Sequence, residues 1–347
     1  MILTFKVKHN QDFSDELKKA KQVADFAVKT KSRTSKDVKH IGLKSIISNQ
    51  ILKKYGSNKK IKSVKRVNLI IPNQGIKVNK DLHEIKIPCL KLTLNYKFKD
   101  FEKVNQIEVD KEFAFVSVTI LEDPLKEVDS WIGVDLNTTG HVVVIADPTS
   151  GKIEKLGKKA EHTHKKYKNI RKDLQKKGKY GKVKQIKDRE SRVVRDLNHK
   201  MSREVVDVAN ESNSGIRLEL LKNIRKTAKS SRSFRYSLHS WSFYQLNQMI
   251  EYKAKLLGIP VTYIDPRYTS QECSICGLIG NRNGKSFKCP HCGHVDHADV
   301  NAAFNIALRS DSIGQSIAER DVMEGSPDTP KMAMILGSES TIEPHAL

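Results

Sequence analysis

Two Cys-x2-Cys pairs, Cys273/Cys276 and Cys289/Cys292, stand twelve residues apart, and no other feature limits the folding of this chain as tightly. Thiols at that spacing form two knuckles that close on one tetrahedral zinc ion, and scattered buried cysteines rarely fall into such pairs. Gly277 and Gly293 each follow the second cysteine of a pair, where a left-handed turn lets backbone amides approach the thiolates. Seven residues beyond Cys292 comes Asp299, followed at once by Val300, Ala303, Phe304, Ile306 and Ala307 at helical spacing. A carboxylate is therefore expected at a helix start, beside a zinc-stiffened loop.

With 347 residues, the chain can hold two or three domains, each with its own core. It carries 63 Lys and Arg against 40 Asp and Glu, a formal net charge of +23. Such an excess implies a polyanionic partner, nucleic acid before membrane, because basic side chains neutralise phosphates and release their counterions. No apolar stretch reaches bilayer length, so no membrane partner is expected. Cys89 is left unpaired. Together with a metal tetrad, a lone thiol points to a reducing compartment, here the cytoplasm in association with the nucleoid.

Patterning along the chain predicts a multidomain protein with α/β and β parts. Leu3, Phe5 and Val7 alternate with Thr4, Lys6 and Lys8 as one short strand. Leu17, Ala20, Val23, Ala24, Ala27 and Val28 share a helical face, with Ser14 as the expected cap, and Leu43, Ile46, Ile47 and Ile51 mark a second helix ending at Tyr55-Gly56. From Val64 to Ile120 the pattern turns to short strands, including Ile76-Lys-Val, Ile85-Lys-Ile, Leu90 to Leu94 and Phe113 to Ile120. Residues 1–10 and 60–125 are thus expected to form a small β-barrel, with the helices of 11–59 inserted.

Beyond Asp123-Pro124 a second pattern begins. Trp131 to Asp135, His141 to Ala146 and Lys152-Ile-Glu read as an antiparallel meander. From Lys158 to Arg203 there are eighteen Lys or Arg against five Asp or Glu at helical spacing. A merely solvated helical hairpin usually mixes both signs, so 158–203 reads as a clamp on a nucleic-acid backbone. A strand at Gly215 to Glu219, a helix from Phe243 to Leu257, a strand at Ile259 to Ile264 and a helix near 300–309 complete the order. That order is RNase H-like, spanning 128–268 and 295–309, with the zinc ribbon of 269–294 inserted. The tail, 310–347, changes to acidic, Ser- and Pro-containing sequence and is expected to be disordered.

Asp135 and Glu219 end two strands and Asp299 starts the last helix. In an RNase H-like order the three converge at one end of the sheet. Each alone reads as a turn or cap residue, but the set, beside so much positive charge, reads as a metal site. In-line cleavage of a phosphodiester needs an activated water and charge neutralisation at the leaving oxygen, which two Mg²⁺ ions about 3.5–4 Å apart supply. Mg²⁺ prefers carboxylate oxygens and keeps several waters, so three acids and the scissile phosphate suffice, with Asp135 bridging both ions and Glu219 and Asp299 each holding one or both.

Trp131 to Gly140, Ile216 to Arg225, Asp265-Pro-Arg-Tyr-Thr-Ser-Gln-Glu-Cys-Ser-Ile-Cys-Gly and Asp299-Val-Asn-Ala-Ala-Phe-Asn-Ile together resemble the TnpB (OrfB) family of transposon-encoded proteins. The resemblance covers roughly Trp131 to Leu308, and over residues 1–125 it is architectural. It implies an RNA-guided DNA endonuclease with a RuvC-like nuclease domain, related to compact type V CRISPR effectors, in which Asp135, Glu219 and Asp299 match the three catalytic acids. It further implies that the β-barrel and its inserted helices are wedge and recognition lobes. The implied partners are a guide RNA from the transposon end and double-stranded target DNA bearing a short adjacent motif, with one or two chains on each RNA. Asn137 stands where the family often has Gly, and Ala298 where Arg often precedes the last Asp; neither is an expected metal ligand.

Candidate phosphate contacts are Lys165, Lys166, Lys168, Arg171 and Lys172 on the hairpin, with Arg225 and Arg267 beside the acids. Two other functions compete with a nuclease: a guided repressor that binds DNA without cutting, and an unguided zinc-ribbon accessory to transposition. Retention of all three acids argues against the first. A DNA-strand transferase is not expected, since no tyrosine nucleophile with paired His is found.

Overall fold

The computed structural model describes residues 1–58, 60–98, 100–138, 140–221, 243–309 and 335–336. They divide into two compact units at Leu121/Glu122, with Ile335–Leu336 belonging to the first.

In the first unit, strand β1 (Ile2–Lys8) leads into helix α1 (Ser14–Thr30), whose Ala20, Val23, Ala24 and Ala27 are fully buried at the spacing of one helical face. Ser14 opens this helix rather than capping it. The N-cap position is Phe13, which has no side-chain cap, and the Asp12 carboxylate before it accepts from both the Ser14 backbone N–H (2.9 Å) and its hydroxyl (2.5 Å). Helix α2 (Ser45–Gly56) buries Ile47, Ile51 and Leu52. Six strands follow: β2 (Leu69–Pro72), β3 (Lys77–Asn79), β4 (Glu84–Ile87), β5 (Leu92–Asn95), β6 (Lys103–Val109) and β7 (Phe113–Thr119).

β1 pairs antiparallel with β7 along its whole length, from Ile2↔Thr119 to Lys8↔Phe113, and the sheet continues to β6 and β2. The two-residue strand Ile335–Leu336 lies parallel to β1 at the outer edge, while β3, β4 and β5 form a separate antiparallel sheet. β2 and β6 are not among the strands that alternation predicts. β2 is a solid apolar run, and the register of β6 shifts at a bulge between Val104 and Gln106, which breaks its alternation. The remaining tail, 310–334 and 337–347, lies outside the described residues, so its expected disorder is not addressed by the structure.

The second unit is built on one five-stranded sheet. β8 (Ser130–Leu136), β9 (Val143–Ala146) and β10 (Ile153–Leu156) form an antiparallel meander. The basic hairpin follows as α3 (Lys158–Lys176) and α4 (Tyr180–Glu211), then β11 (Ser214–Glu219), α5 (Phe243–Leu256) and β12 (Val261–Ile264). β11 runs parallel to β8, and β12 parallel to β11, giving the order β10-β9-β8-β11-β12. Strands β13 (Asn281–Asn283), β14 (Ser286–Lys288) and β15 (Val295–His297) make the ribbon's small sheet, which runs directly into α6 (Ala298–Leu308).

Helices cover both faces of the large sheet. Ile132, Val134, Ile216 and Leu218 pack with Val205 and Val206 of α4 and Leu246 and Ile250 of α5. Val144 and Ala146 pack on the other face with Val300 and Ala303 of α6. Each fully buried aliphatic side chain contributes about 1.5–3 kcal/mol. A one-residue slip would exchange the two faces, so this packing holds the register. Leu218 pairs with Val134 and faces α4 and α5. The next residues, Glu219 and Asp135, therefore stand side by side at the carboxyl ends of parallel strands and face α6.

Candidate active site

The three acids of the sequence come together on the α6 face of the sheet. β8 can lie against α6 because residue 133 is glycine: a Cβ there would sit 2.0 Å from the Ala303 carbonyl oxygen and 2.5 Å from the Ala307 nitrogen. Arg217, two residues before Glu219, donates through Nη1 to the Ala307 carbonyl at 2.5 Å and ties β11 to the same helix. Asp299 lies in the first turn of α6, where the His297 imidazole accepts its backbone N–H at 3.3 Å.

Two of the three carboxylates are nearly dry, and Glu219 is half-buried. Asp135 is 8% exposed and Asp299 1%. Burial, then the neighbouring Glu219 charge, pushes the Asp135 carboxyl up to about 8, against a hydrogen bond of 2.7 Å from the Asn137 side-chain amide. Burial also raises Glu219, opposed by the Thr269 hydroxyl, which donates to Oε1 at 2.5 Å. Like charges packed this closely disfavour one another's ionisation unless a cation compensates them.

Cationic side chains reach the cluster from the ribbon. At the turn between β13 and β14, Lys285 donates from Nζ to Asp299 Oδ2 at 2.5 Å, and Arg282 Nη2 lies 3.5 Å from Asp299 Oδ1. Asp299 Oδ1 has no hydrogen-bond partner among the described residues although it is buried. Carboxylate oxygens with one open acceptor suit the hard divalent ion Mg²⁺ in kind, while among the described residues the four cysteines alone stand close enough together to hold an ion as they are. Asp135, Glu219 and Asp299 would be the Mg²⁺ ligands.

The ribbon itself is closed. All four cysteine sulfurs lie within 4.8 Å of one another, with Cys273–Cys292 at 3.6 Å and Cys276–Cys289 at 3.5 Å. Zn–S bonds of about 2.3 Å give tetrahedral edges of roughly 3.8 Å, so these sulfurs fit one zinc ion. Backbone amides of Cys292 and His291 lower the Cys289 thiol, favouring the thiolate that a metal needs. Gly277 and Gly293 take φ of 73° and 75°, and their N–H groups donate to the carbonyls of Cys273 and Cys289.

Two buried amides on α6 connect this ribbon to the acids. Asn301 accepts from the Ser274 N–H at 2.9 Å and donates to the Glu272 carbonyl at 2.7 Å. Asn305, one turn later, donates to the carbonyls of Thr269 and Glu272 at 2.8 and 2.7 Å. Arg309 adds bonds to the Asp265 and Arg267 carbonyls and to the Glu272 carboxylate, each 2.7 Å. The segment that carries Thr269 and the first knuckle is thereby laced to the helix that carries Asp299.

The Cas12f1-like TNB domain family model matches residues 243–306, the span from α5 through the ribbon to α6. The TnpB-like protein MJ0751 of Methanocaldococcus jannaschii is 32% identical over 237 residues, covering 65% of this chain and 84% of that protein. The chain belongs to the TnpB-like family. It is also 35% identical over 211 residues to the CRISPR-associated endodeoxyribonuclease Cas12f1 of Sulfoacidibacillus thermotolerans, covering 56% of this chain and 48% of that protein. It thus spans about half the length of that relative. A solved Cas12f1–sgRNA–target DNA complex aligns with a TM-score of 0.44 at 19% identity, over 89% of this chain and 99% of that one.

The candidate phosphate contacts separate by surroundings. Lys165, Lys166 and Lys172 are exposed on α3, with Lys165 paired to Glu161 at 2.6 Å, and Lys168 is half-buried. Arg267 is exposed, near Asp265. Arg225 lies outside the described residues. Arg171 instead turns into the hairpin and joins the Glu190 carboxylate, which also hydrogen-bonds His164 Nδ1 at 2.9 Å. Burial opposes the Glu190 charge, but the bonds from His164 and Arg171 outweigh it and hold the acid below its usual range. In this conformation Arg171 ties α3 to α4. Sequence reasoning did not single out Thr269, Arg282, Lys285, Asn301 or Asn305 as site residues, although Thr269, Asn301 and Asn305 lie within the motif runs that carry the family resemblance.

Among the described residues no helix is long and apolar enough to cross a membrane.

Proposed function

We propose that this chain is an RNA-guided DNA endonuclease of a transposable element, cutting target DNA with a RuvC-like, two-metal-ion site. The observation that carries the reading is the meeting of Asp135, Glu219 and Asp299 on one face of a sheet ordered β10-β9-β8-β11-β12, in a chain of the TnpB-like family. That strand order, an antiparallel meander followed by two parallel strands, is the arrangement of an RNase H-like nuclease. The names of the relatives, a TnpB-like protein and an endodeoxyribonuclease, support the same reaction class. The first unit would serve as wedge and recognition lobes for guide RNA and the target-adjacent motif.

Asp135, Glu219 and Asp299 would hold two Mg²⁺ ions, which when bound would supply charge neutralisation at the scissile phosphate and an activated water. The chain's own groups do the rest. Asn137 and Thr269 orient Asp135 and Glu219 through single hydrogen bonds, 2.7 and 2.5 Å long, so both carboxylates are preorganised. Arg282 and Lys285 place positive charge on the side of Asp299, where it would attract substrate phosphates. Exposed Lys165, Lys166 and Lys172 track a nucleic-acid backbone without reading its sequence, which base pairing to the guide supplies.

The test is co-expression with the flanking DNA of the element, sequencing of the co-purified RNA, and Mg²⁺-dependent cleavage of a matching duplex by wild type and Asp135→Ala. One discrete RNA scaffold with a variable end, and cutting that Asp135→Ala loses while still binding, is the expected result. Unchanged cutting by the variant would remove Asp135 from the site. A discrete RNA with target binding but no cutting in any divalent metal would make the protein a guided repressor, and heterogeneous host RNA would make it an unguided binder.

A further inference from the structure

The acid cluster contains one feature that neither its chemistry nor the family resemblance requires. Lys285, on the turn of the ribbon hairpin, touches both arms of the site: its ammonium lies 2.5 Å from Asp299 Oδ2 and 3.4 Å from the side-chain oxygen of Asn137. The same Asn137 holds Asp135 Oδ2 through its amide nitrogen at 2.7 Å. One positive charge therefore stands between the two carboxylate-bearing elements, on one ligand atom, Asp299 Oδ2, that a divalent ion would need. Its backbone is pinned, since the Lys285 carbonyl accepts from the Ala298 N–H at 2.9 Å where α6 begins. Its side chain is 39% exposed, against 2% for that of Asp299, so the ammonium has solvent to withdraw into while the carboxylate does not.

We propose that Lys285 is a placeholder cation: it neutralises Asp299 before metal loading, competes with the divalent ion for that carboxylate, and is released when the ion binds. This deepens the proposed nuclease reading and rests on it. A buried carboxylate left uncompensated is unstable, and a lysine on a flexible stem is a removable partner for it. The consequence is that the free protein binds metal weakly. Tight loading waits for a substrate whose phosphates add ligands to the ion and offer the released ammonium a new anion. Because Lys285 sits on the ribbon, the placeholder is delivered only when the ribbon is folded.

Mn²⁺ binding to the intact, nucleic-acid-free protein, followed by electron paramagnetic resonance, tests this without reference to cleavage. Lys285→Gln is expected to bind Mn²⁺ about tenfold more tightly than wild type, the order of effect for removing a competing unit charge a few ångströms away in a partly solvated site. Lys285→Arg, which keeps the charge, should stay within about twofold of wild type. In wild type, mass-spectrometric footprinting with an amine-acylating reagent should show Lys285 several-fold more reactive when Mn²⁺ is added. Equal or weaker Mn²⁺ binding by Lys285→Gln with its zinc content intact, or unchanged acylation on adding Mn²⁺, overturns the inference. Asp299→Asn separates the two levels. If it loses the Mn²⁺ signal, the acids are a metal site and the Lys285 results stand on their own. If it binds Mn²⁺ as wild type does, the metal-site reading falls and takes this inference with it.

Discussion

The Ser274 amide, between Cys273 and Cys276 of the four-cysteine cluster, donates to the side-chain oxygen of Asn301, two residues beyond Asp299, at 2.9 Å. A knuckle of the ribbon and the helix that carries the candidate acid Asp299 are thus bonded directly. Asn301→Ala would leave the Glu272 carbonyl and the Ser274 N–H without this partner, at a cost of about 1–3 kcal/mol for buried groups. The expected outcome is a lower melting temperature, faster loss of zinc to a chelator and reduced cutting, read by calorimetry, a zinc-release dye and a cleavage assay.

Chelation of zinc from the native protein should act on the same connection. Without metal nothing binds the four sulfurs to one another and the hairpin loses its closure, so Lys285, Arg282 and the Thr269 segment lose their support. Limited proteolysis should then cut within residues 269–297, and cleavage activity should fall and return on adding zinc. Full activity in a metal-depleted ribbon would refute the coupling.

Acidity should stabilise the metal-free protein. Asp135 has its folded-state pKa raised from 3.8 to about 8, so between those values the folded form holds a proton that the unfolded form has released. Stability from this group is complete below its unfolded pKa and is lost as pH rises through the folded value. The melting temperature of the metal-free protein should therefore fall between pH 5 and about 8, Asp135→Asn should flatten that slope, and saturating Mg²⁺ should restore stability most at the high-pH end.

Gly133→Ala tests the approach of β8 to α6. Its Cβ would meet the Ala303 carbonyl oxygen at 2.0 Å, a backbone atom that moves only with the helix, so overpacking of about 1–3 kcal/mol or more is expected. Because α6 carries Asp299, cleavage should fall further than RNA binding, measured on the same preparation.

Two classes of basic residue should separate on the hairpin. Lys165→Ala, Lys166→Ala and Lys172→Ala combined should leave the melting temperature nearly unchanged and reduce the salt slope of RNA binding by about 2. Arg171→Ala should instead destabilise by roughly 2–3 kcal/mol, because the buried Glu190 would lose the guanidinium and keep His164. A salt-insensitive affinity in wild type would contradict the clamp.

The sequence by itself determined the chemistry-bearing residues whose signal is local. Paired cysteines at metal spacing, acids at strand ends and helix start, and an unbalanced run of lysine and arginine are all read within a few residues, and the element order around them announced the sheet. Only the tertiary structure decided which side chains meet. Lys285 and Asn137 are 148 positions apart, Arg217 and Ala307 are 90, and Thr269 and Glu219 are 50. Periodicity says which face a residue occupies, but a partner across the fold is chosen by packing: Gly133 admits α6, α6 presents Asn301 and Asn305, and these hold the ribbon where Lys285 reaches Asp299. Arg171 shows the same limit from the other side. In the sequence it is one cation among eighteen, and burial beside Glu190 is what sets it apart from its solvated neighbours.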